Sequence, residues 1–479
     1  MRHDLENIKS LFYPPEKEVS DPSFFLTGEV KYSVNSKMVA SVTLTAGGRT
    51  VAEQATETEL LEGGVRQGRR LARLLFYRAL RELTGREGSP WGILTGVRPT
   101  KVGHFFADRG FKPAEMEAIL VRYYGLREDK ARLLVEVVER ERELLPPERW
   151  RRGAAVYVSI PFCPSRCAYC SFPSFPYQKE RVREYLQVLH REIEGAAELI
   201  ARTGLEVYAL YVGGGTPTVL AGEELADLLD MLTSFFAGEH LVEFTVEAGR
   251  PDTVGVEKLS LLRSRGVNRV SINPQSFHAA TLAAIGRAHS PEEAEKAYFQ
   301  AREAGFPIIN MDLIIGLPGE KEAEVAATVA KVIELEPENV TLHSLALKKG
   351  SLLLGAGSPL PLPGDEEAAR MMDLARESLR QAGYRPYYLY RQKRIAGLGE
   401  NVGLARPGTE CLYNMAVIEE RGVIFGLGAG ATSKVGREEG TVVNIFHARD
   451  PVVYARNWEE KAAQREEAVI KSLRAGAEG

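Results

Sequence analysis

The sequence predicts an α/β fold: a partial TIM-like barrel of six strand–helix units, with an α+β domain before it and an α/β extension after it. Beyond residue 150, short apolar runs alternate with amphipathic stretches, which is typical of a parallel sheet covered by helices. Gly- and Pro-containing segments on either side of this part predict linkers. We therefore expect domains at residues 1–150, 151–355 and 356–479.

The N-terminal part has its own pattern of strands and helices. Residues 24–55 alternate apolar and polar side chains around a Gly-Gly pair, which predicts two or three antiparallel strands. Apolar residues at helical spacing predict helices over 65–83, 113–124 and 128–145. No group of residues in this domain carries recognisable chemistry, so its role is not predicted.

Six apolar runs predict the strands of the barrel, and helices are expected between them, for example over 179–200 and 221–236. Right-handed crossovers place the carboxyl ends of such strands at one rim, and in barrels that rim carries the chemistry. After a Gly- and Pro-rich turn at 355–363 we expect a helix over 365–382 and then a more irregular C-terminal region. The six runs are residues 156–160, 208–212, 242–248, 267–272, 308–315 and 340–346.

The composition is that of an ordinary globular protein. The chain has 479 residues, of which 44% are hydrophobic and 26% charged, with a net charge of −4. This mildly acidic balance gives no electrostatic reason to expect nucleic acid or an anionic membrane as a partner. No apolar run is long enough to span a bilayer, and residues 1–15 lack an apolar signal segment, so we expect the cytoplasm.

Three of the four cysteines, Cys163, Cys167 and Cys170, lie within eight residues and follow a predicted strand. Such crowding favours a metal or redox site over a disulfide framework. Thiolates are the preferred ligands of iron–sulfur clusters, and three of them would leave one iron of a four-iron cube open. The alternatives are a half-built zinc site or three unrelated buried thiols. Cys411 is either a fourth ligand or, as is commoner for a lone cysteine, a small buried hydrophobic residue.

Polar or glycine residues stand at the ends of the following strands. Residues 213–217, Gly-Gly-Gly-Thr-Pro, follow the second strand, and glycines let a backbone approach a ligand closely. The third strand ends in Glu247, the fourth in Asn273 and Gln275, and the fifth contains Asp312. Each alone is at least as well explained by a structural hydrogen bond. Together, on consecutive strands, they predict one site at the rim.

The spacing Cys-x3-Cys-x2-Cys, with an aromatic residue before the third cysteine, resembles the signature of the radical S-adenosylmethionine (SAM) superfamily. The resemblance implies a [4Fe–4S] cluster whose open iron chelates the amino and carboxylate groups of SAM. One electron from the cluster then breaks the sulfonium bond, which gives methionine and a 5′-deoxyadenosyl radical. The protein's task is to hold the reactive carbon against a substrate C–H bond and to keep water away.

At family level the chain resembles the oxygen-independent coproporphyrinogen III oxidases, and among them the HemZ-like branch. The segments that carry the family resemblance are residues 157–172, 213–217, 246–249, 273–277 and 312–318. Those that carry the resemblance to the branch are residues 91–101, 343–349 and 408–414.

The resemblance implies roles for residues that match the family motifs. Tyr157 matches a tyrosine near the cluster-bound SAM and is the predicted catalytic residue. The residues predicted to contact this SAM are Gly214, Gly215, Thr216 and Glu247. Those predicted to contact a second SAM are Tyr169, Gln275, Arg287, Asp312 and Ala346, with Thr432 as a weaker candidate. Read from the residues alone, Arg287 and Asp312 are expected either to form a buried pair or to bind carboxylate and ribose hydroxyls.

Two positions depart from the family pattern. Ser159 stands where the family usually has a histidine, and Phe172 where the best-known branch has a further cysteine. Other branches also have phenylalanine there, and some of those carry haem. The departures bear on the substrate and not on the cluster.

The implied reaction is the oxidative decarboxylation of two propionates of coproporphyrinogen III to vinyl groups, with an electron donor such as a flavodoxin or ferredoxin. The alternatives are a haem chaperone and a radical SAM methyltransferase-type enzyme with another substrate. Because the porphyrinogen carries four carboxylates, basic residues are expected near the barrel mouth. The candidates are Lys348, Lys349, Arg391, Lys393 and Arg394.

Overall fold

The computed structural model describes residues 2–12, 27–34, 38–46, 48–57, 61–146, 152–172, 174–348, 350–355, 358–392, 395–420, 422–436 and 441–475. The chain forms two compact units. One comprises Met1–Glu139 with Tyr390–Lys393, and the other comprises Arg140–Leu389 with Arg394–Gly479.

The smaller unit is built on an antiparallel sheet in the order β1-β2-β3. Alternate residues of β2 are buried, from Met38 to Ala46, so one face of the sheet is apolar. The long helix α2 packs on the strands and on α1. The elements are α1 (Arg2–Lys9), β1 (Thr27–Val34), β2 (Met38–Ala46), β3 (Arg49–Glu57) and α2 (Gly64–Thr84). The strands and α2 lie where the sequence pattern predicted them.

Three further helices follow: α3 (Thr100–Ala107), α4 (Pro113–Tyr124) and α5 (Glu128–Leu144). The sequence predicted α4 and α5 but not α3. Helix α3 begins after Pro99 and has no side-chain cap, so it lacks the polar start signal on which sequence-based assignment depends.

The larger unit contains the predicted parallel strands in chain order across one sheet: β4 (Gly153–Ile160), β7 (Glu206–Gly214), β8 (Glu243–Glu247), β9 (Arg269–Ser271), β10 (Ile308–Ile315) and β11 (Asn339–Ser344). Each pairs in parallel with the next. Two short strands, β5 (Phe162–Cys163) and β6 (Phe175–Pro176), form a separate pair in the loop after β4. This is the predicted partial barrel.

Helices connect these strands: α6 (Lys179–Thr203), α7 (Gly222–Phe236), α8 (Val256–Ser264), α9 (Ala279–Ala284), α10 (Pro291–Glu303) and α11 (Glu322–Leu335). Helix α6 shows why they form. Its buried residues recur at helical spacing from Val182 to Ile200, and Gly204 ends it in the left-handed conformation. None of the described helices is long and apolar enough to cross a membrane.

The C-terminal region is more regular than the sequence predicted, and the expectation of an irregular segment was wrong. Strand β13 pairs antiparallel with β11 at one end of the sheet, and β14 pairs parallel with β4 at the other. These strands are short and β14 is buried throughout, so they lack the alternation that identifies strands. The division at residues 355 and 356 stays a prediction. The elements are α12 (Leu352–Gly355), α13 (Asp365–Gln381), β12 (Arg385–Tyr390), β13 (Asn401–Ala405), α14 (Leu412–Glu419), β14 (Val423–Leu427), β15 (Thr432–Gly436), β16 (Val442–Phe446) and α15 (Pro451–Ala475).

A buried ionic network joins α15 to α6, the helix that follows the cysteine loop. Glu192 of α6 accepts hydrogen bonds from Arg465 and Tyr454 of α15, and from the backbone N–H of Gly428. The Nε2 of His447 lies 2.8 Å from Glu192 Oε1. Burial opposes ionisation of Glu192, but His447 and Arg465 outweigh it and lower its pKa to about 2. The carboxylate therefore holds the C-terminal helix and the β14–β15 turn on α6.

Candidate active site

The loop after β4 carries the three predicted cysteine ligands. The pairing of β5 with β6 brings the two ends of this loop together. Cys167 is buried, while Cys163 and Cys170 are half-buried. The backbone of Ala168 donates to Ile285 and accepts from Leu353, so neighbouring elements fix the loop between the second and third cysteines.

The spacing of the thiols fits a cluster better than a single metal ion. Among the described residues, the three sulfur atoms do not all lie within 4.8 Å of one another. Thiolates on one tetrahedral zinc ion lie roughly 3.8 Å apart, because the Zn–S distance is about 2.3 Å. A cluster that offers a different iron to each thiolate does not require the three sulfurs to surround one ion.

Cys411 does not belong to this group. Its Sγ donates to Glu243 Oε1 at 3.2 Å, and the backbone N–H of Leu412 donates to the other oxygen of Glu243 at 2.7 Å. Glu243 begins β8, whereas the cysteine loop lies beyond the carboxyl ends of the strands. Cys411 is therefore a buried structural thiol that fixes the start of α14.

The glycine loop after β7 lies directly against the cysteine loop. The N–H of Gly215 donates to Ile160 O, and the N–H of Thr216 donates to Phe162 O, both at 2.8 Å. The hydroxyl of Thr216 lies 3.4 Å from Cys163 Sγ and donates to it. A Cβ at Gly215 would lie 2.6 Å from Phe162 O and 3.0 Å from Cys163 Sγ. The position therefore needs glycine so that the two loops can touch.

Glu247 ends β8 beside this glycine loop, and a Cβ at Gly213 would lie 2.8 Å from its carboxyl carbon. The hydroxyl of Tyr211 donates to Glu247 Oε1 at 2.8 Å. Burial raises the pKa of Glu247 to about 7, the hydrogen bond from Tyr211 opposes this rise, and the charge of Asp312 adds to it. Glu247 is thus a carboxyl group that changes its charge near neutral pH.

Tyr157 lies in a group of three tyrosines inside the barrel. Its ring is stacked on that of Tyr413 at 5.7 Å, and Tyr413 is stacked on Tyr211 at 4.4 Å. Burial and the charge of Glu247 raise the pKa of Tyr157, so the phenol stays neutral. Tyr413 comes from α14, and the sequence did not identify it. The catalytic role of Tyr157 stays a prediction.

Asp312 is held by neutral donors and one histidine. The side-chain amides of Asn310 and Asn273 each donate to it at 2.8 Å. The Nε2 of His343 lies 3.7 Å from Asp312 Oδ2. Burial opposes ionisation, but these neighbours prevail and lower the pKa of Asp312. Asp312, His343 and Glu247 therefore form a polar group on three strands, β10, β11 and β8.

Arg287 does not pair with Asp312. Its Nη1 donates to Gly249 O at 2.8 Å and its Nη2 to the hydroxyl of Tyr169 at 2.9 Å, so the expected Arg287–Asp312 pair is not formed. Its Nε has no partner among the described residues, and neither has the Oε1 of Gln275. Gln275 is buried with a left-handed backbone, φ 66°. These two buried side chains therefore keep unused hydrogen-bonding atoms.

The remaining predicted contact residues, Ala346 and Thr432, each pair with another segment through the backbone. Ala346, just after β11, forms an antiparallel bridge with Ile395. Thr432 begins β15 and pairs with Phe446, and its backbone fills the space beside Gly426. No described contact joins either residue to the cysteine loop, so their roles stay predictions.

Comparisons with known proteins were made on the whole chain. Residues 157–332 match the model of the radical SAM superfamily. The chain is 41% identical over 375 residues to the oxygen-independent coproporphyrinogen-III oxidase-like protein HemZ of Bacillus subtilis, covering 77% of this chain and 75% of HemZ. The chain belongs to the radical SAM family of oxygen-independent coproporphyrinogen-III oxidase-like proteins.

The chain is also similar to a heme chaperone and to a coproporphyrinogen III oxidase of known structure. The heme chaperone HemW of B. subtilis is 32% identical over 286 residues, which is 59% of this chain and 71% of HemW. Among solved structures, the coproporphyrinogen III oxidase HemN of Escherichia coli matches with a TM-score of 0.53 and 25% identity. That match covers 65% of this chain and 70% of HemN.

Membership of the radical SAM family implies a [4Fe–4S] cluster and SAM, and the residues present fit this cofactor pair. The cysteine loop supplies three free thiols, of which Cys167 is buried and the other two are half-buried. The glycine loop leaves no room for a side chain beside Cys163. Cys163, Cys167 and Cys170 would hold the cluster, and Glu247 lies against Gly213 at the start of the glycine loop.

Ser159, where the oxidase-like family usually has histidine, has a packing explanation. Its hydroxyl donates to Ala429 O at 2.7 Å, and its carbonyl accepts from Tyr185 at 2.6 Å. A Cβ at Gly428 would lie 2.8 Å from the Ser159 carbonyl. The β14–β15 turn therefore lies directly against β4, and the Ser159 hydroxyl joins the two by its hydrogen bond to Ala429. Phe172, the second departure, is 65% exposed.

The five basic residues expected near the barrel mouth differ in where the structure places them. Lys349, Lys393 and Arg394 lie outside the described residues. Arg391 is buried in the smaller unit, where it donates to Leu94 O and its guanidinium lies 5.5 Å from the ring centre of Trp91. It is therefore a structural residue of that unit and not a substrate ligand. Lys348 is exposed, and no carboxylate of the described chain pairs with it.

Arg250, like Tyr413, is a residue of this region that the sequence did not identify. It follows Glu247 by three residues and is buried, and its Nη1 lies 3.5 Å from Cys167 Sγ. A buried arginine beyond a strand end is unusual unless it is paired, so the Glu-Ala-Gly-Arg-Pro-Asp sequence carried a usable signal.

Proposed function

We propose that this protein catalyses the oxidative decarboxylation of coproporphyrinogen III propionates to vinyl groups, forming protoporphyrinogen IX without oxygen in haem biosynthesis. The observation that carries the proposal is the junction of the cysteine loop with the glycine loop and Glu247 in a chain 41% identical to HemZ. The HemN match adds a solved coproporphyrinogen III oxidase of the same fold.

When bound, the cluster and SAM supply the 5′-deoxyadenosyl radical that removes hydrogen from the substrate. The chain's own residues do the positioning. The three thiolates fix the cluster, and ionised Glu247 offers a charge for the ammonium group of SAM. Tyr157, Tyr211 and Tyr413 fill the barrel beneath this point and exclude water from it.

A second SAM is part of the proposal, and the unused atoms of two buried residues support it. Gln275 Oε1 and Arg287 Nε have no partner in the part of the chain that is described. Buried polar atoms without partners are costly, so a polar ligand beside them would remove a penalty of about 1–3 kcal/mol for each. Asp312, Tyr169 and Ala346 are the other proposed contacts.

The substrate carries four carboxylates. Among the basic candidates that the structure describes, we propose Lys348 as a contact for one of these carboxylates. Gly350, just beyond it, accepts a hydrogen bond from Arg166 of the cysteine loop, so this segment borders the site. The electron that cleaves SAM would come from a small redox protein such as a flavodoxin or ferredoxin. The electron released when the substrate radical loses carbon dioxide would pass to a separate one-electron acceptor, and we place the enzyme in the cytoplasm.

The test is an anaerobic assay of reconstituted protein with coproporphyrinogen III, SAM and a reductant. Formation of protoporphyrinogen, with carbon dioxide and 5′-deoxyadenosine, supports the oxidase. Deoxyadenosine without a porphyrin product would contradict the proposed substrate and favour another radical SAM reaction, such as methyl transfer.

A haem chaperone is the second candidate, favoured by the 32% identity to HemW over 71% of that chaperone's length. The same sample separates the two candidates. Stoichiometric haem binding and transfer to an acceptor, with no porphyrinogen turnover, would establish the chaperone and overturn the oxidase.

A further inference from the structure

A buried arginine forms a hydrogen bond to one of the cluster ligands. The Nη1 of Arg250 lies 3.5 Å from Cys167 Sγ and 3.3 Å from the carbonyl of Ser165, and donates to both. Its Nη2 donates to the hydroxyl of Ser165 at 3.1 Å. The guanidinium therefore has three contacts with the cysteine loop itself.

The position of Arg250 is fixed from the opposite side by Asp252. The two side chains form a bidentate ion pair, with Nε to Oδ1 at 2.8 Å and Nη2 to Oδ2 at 2.9 Å. A planar guanidinium held by such a fork has little freedom to turn away. Only 5% of the Arg250 side chain is exposed, so the charge acts on its neighbours with little screening by water.

Hydrogen bonds and positive charge near cluster sulfurs act on the reduction step. Reduction adds one electron to the cluster and no proton, so the cluster with its three thiolates becomes more negative. A donor and a cation at a ligand sulfur stabilise that more negative state and raise the reduction potential. Arg250 supplies both at Cys167.

We propose that Arg250 is a positioning residue that raises the reduction potential of the cluster through its hydrogen bond to Cys167, and that Asp252 holds it in place. The inference rests on the cluster of the proposed function, but not on the porphyrinogen substrate. It assigns a role to the Arg-Pro-Asp sequence that follows Glu247.

The experiment is a redox titration of the reconstituted full-length protein, followed by the EPR signal of the reduced cluster, without added SAM. For Arg250→Gln we expect the equilibrium constant of one-electron reduction to fall about tenfold, which is about 59 mV for a one-electron couple. Arg250→Lys keeps the charge but cannot make both contacts, so its potential should lie between those of Arg250→Gln and the wild type.

Matched controls come from an exposed ion pair of the same unit, Arg265 with Asp230, whose Nε–Oδ1 distance is 3.1 Å. Arg265→Gln and Asp230→Asn should leave the potential unchanged. Asp252→Asn loses the fork that holds the guanidinium but keeps its charge and its two bonds to Ser165, so its potential should lie above that of Arg250→Gln. An equal fall in Asp252→Asn and Arg250→Gln would show that packing, and not the arginine charge, sets the potential.

The outcomes separate this inference from the proposed function. Wild-type protein that binds no iron and sulfide would overturn the cluster itself. A fully loaded Arg250→Gln with the wild-type potential would overturn only the inference. If Arg250→Gln does not fold, Arg250→Lys carries the test: a lowered potential supports the inference, and a potential equal to that of wild type overturns it.

Discussion

Replacing Gly215 by alanine tests how closely the glycine loop must approach the cysteine loop. The added Cβ would lie 2.6 Å from Phe162 O and 3.0 Å from Cys163 Sγ, where ordinary contacts begin at 3.4 Å. The carbonyl must therefore move by about 0.8 Å and the sulfur by about 0.4 Å, given these distances. Metal sites hold their ligands to within about 0.2 Å, so the displaced sulfur no longer meets its iron. Overpacking of this kind costs roughly 1–3 kcal/mol of stability.

The assay is iron and sulfide content per chain after anaerobic reconstitution, together with urea unfolding of the cluster-free protein. We expect Gly215→Ala to lose most of its cluster and to unfold at lower urea than the wild type. Gly222 begins α7 and has nothing within 4 Å of an added Cβ, so Gly222→Ala is the matched control and should behave as wild type. Full cluster content in Gly215→Ala would refute the steric reasoning.

Three other predictions follow from buried or exposed charges. Glu192→Gln should lower the free energy of unfolding by about 3–5 kcal/mol, because it leaves Arg465 without its carboxylate. The control Glu194→Gln, at an exposed position of the same helix, should have little effect. Equal urea midpoints for the two variants would contradict this prediction. The folded pKa of Glu247 is raised from 4.5 to about 7, so its contribution to stability is present below pH 4.5 and is lost as pH rises to about 7. Between pH 5 and 8 the wild type should lose roughly 2–3 kcal/mol relative to Glu247→Gln, and parallel stability curves would refute the shift. Lys348→Gln should raise the KM for coproporphyrinogen and leave kcat unchanged, and a fall in kcat alone would argue against carboxylate binding.

The parallel strands of the barrel could be predicted because each is a local apolar run followed by an amphipathic helix. The C-terminal strands could not, since β13 and β14 are defined by pairing with β11 and β4, which lie far away in the sequence. Long-range pairing leaves no local period in the sequence. For the same reason no local pattern indicates that α15 is anchored on Glu192.

In the site, too, features that follow from local sequence could be predicted, and those that depend on distant segments could not. Glu247 at the end of β8 and Asp312 within β10 could be predicted together because right-handed crossovers make the strands parallel and bring their carboxyl ends to one rim. Tyr413 could not, because it reaches Tyr211 only through the return of α14 into the barrel. The partners of Arg287 were also beyond prediction, since Gly249 and Tyr169 come from separate loops.

The measurement that tests the central claim most directly is the cleavage of SAM by anaerobically reconstituted protein, compared with Cys167→Ala. The wild type should bind four irons and four sulfides as a [4Fe–4S] cluster and, when reduced, form 5′-deoxyadenosine and methionine in equal amounts. Cys167→Ala should form neither. Bound zinc in place of iron, or equal cleavage by both proteins, would contradict the assignment of the cysteine loop.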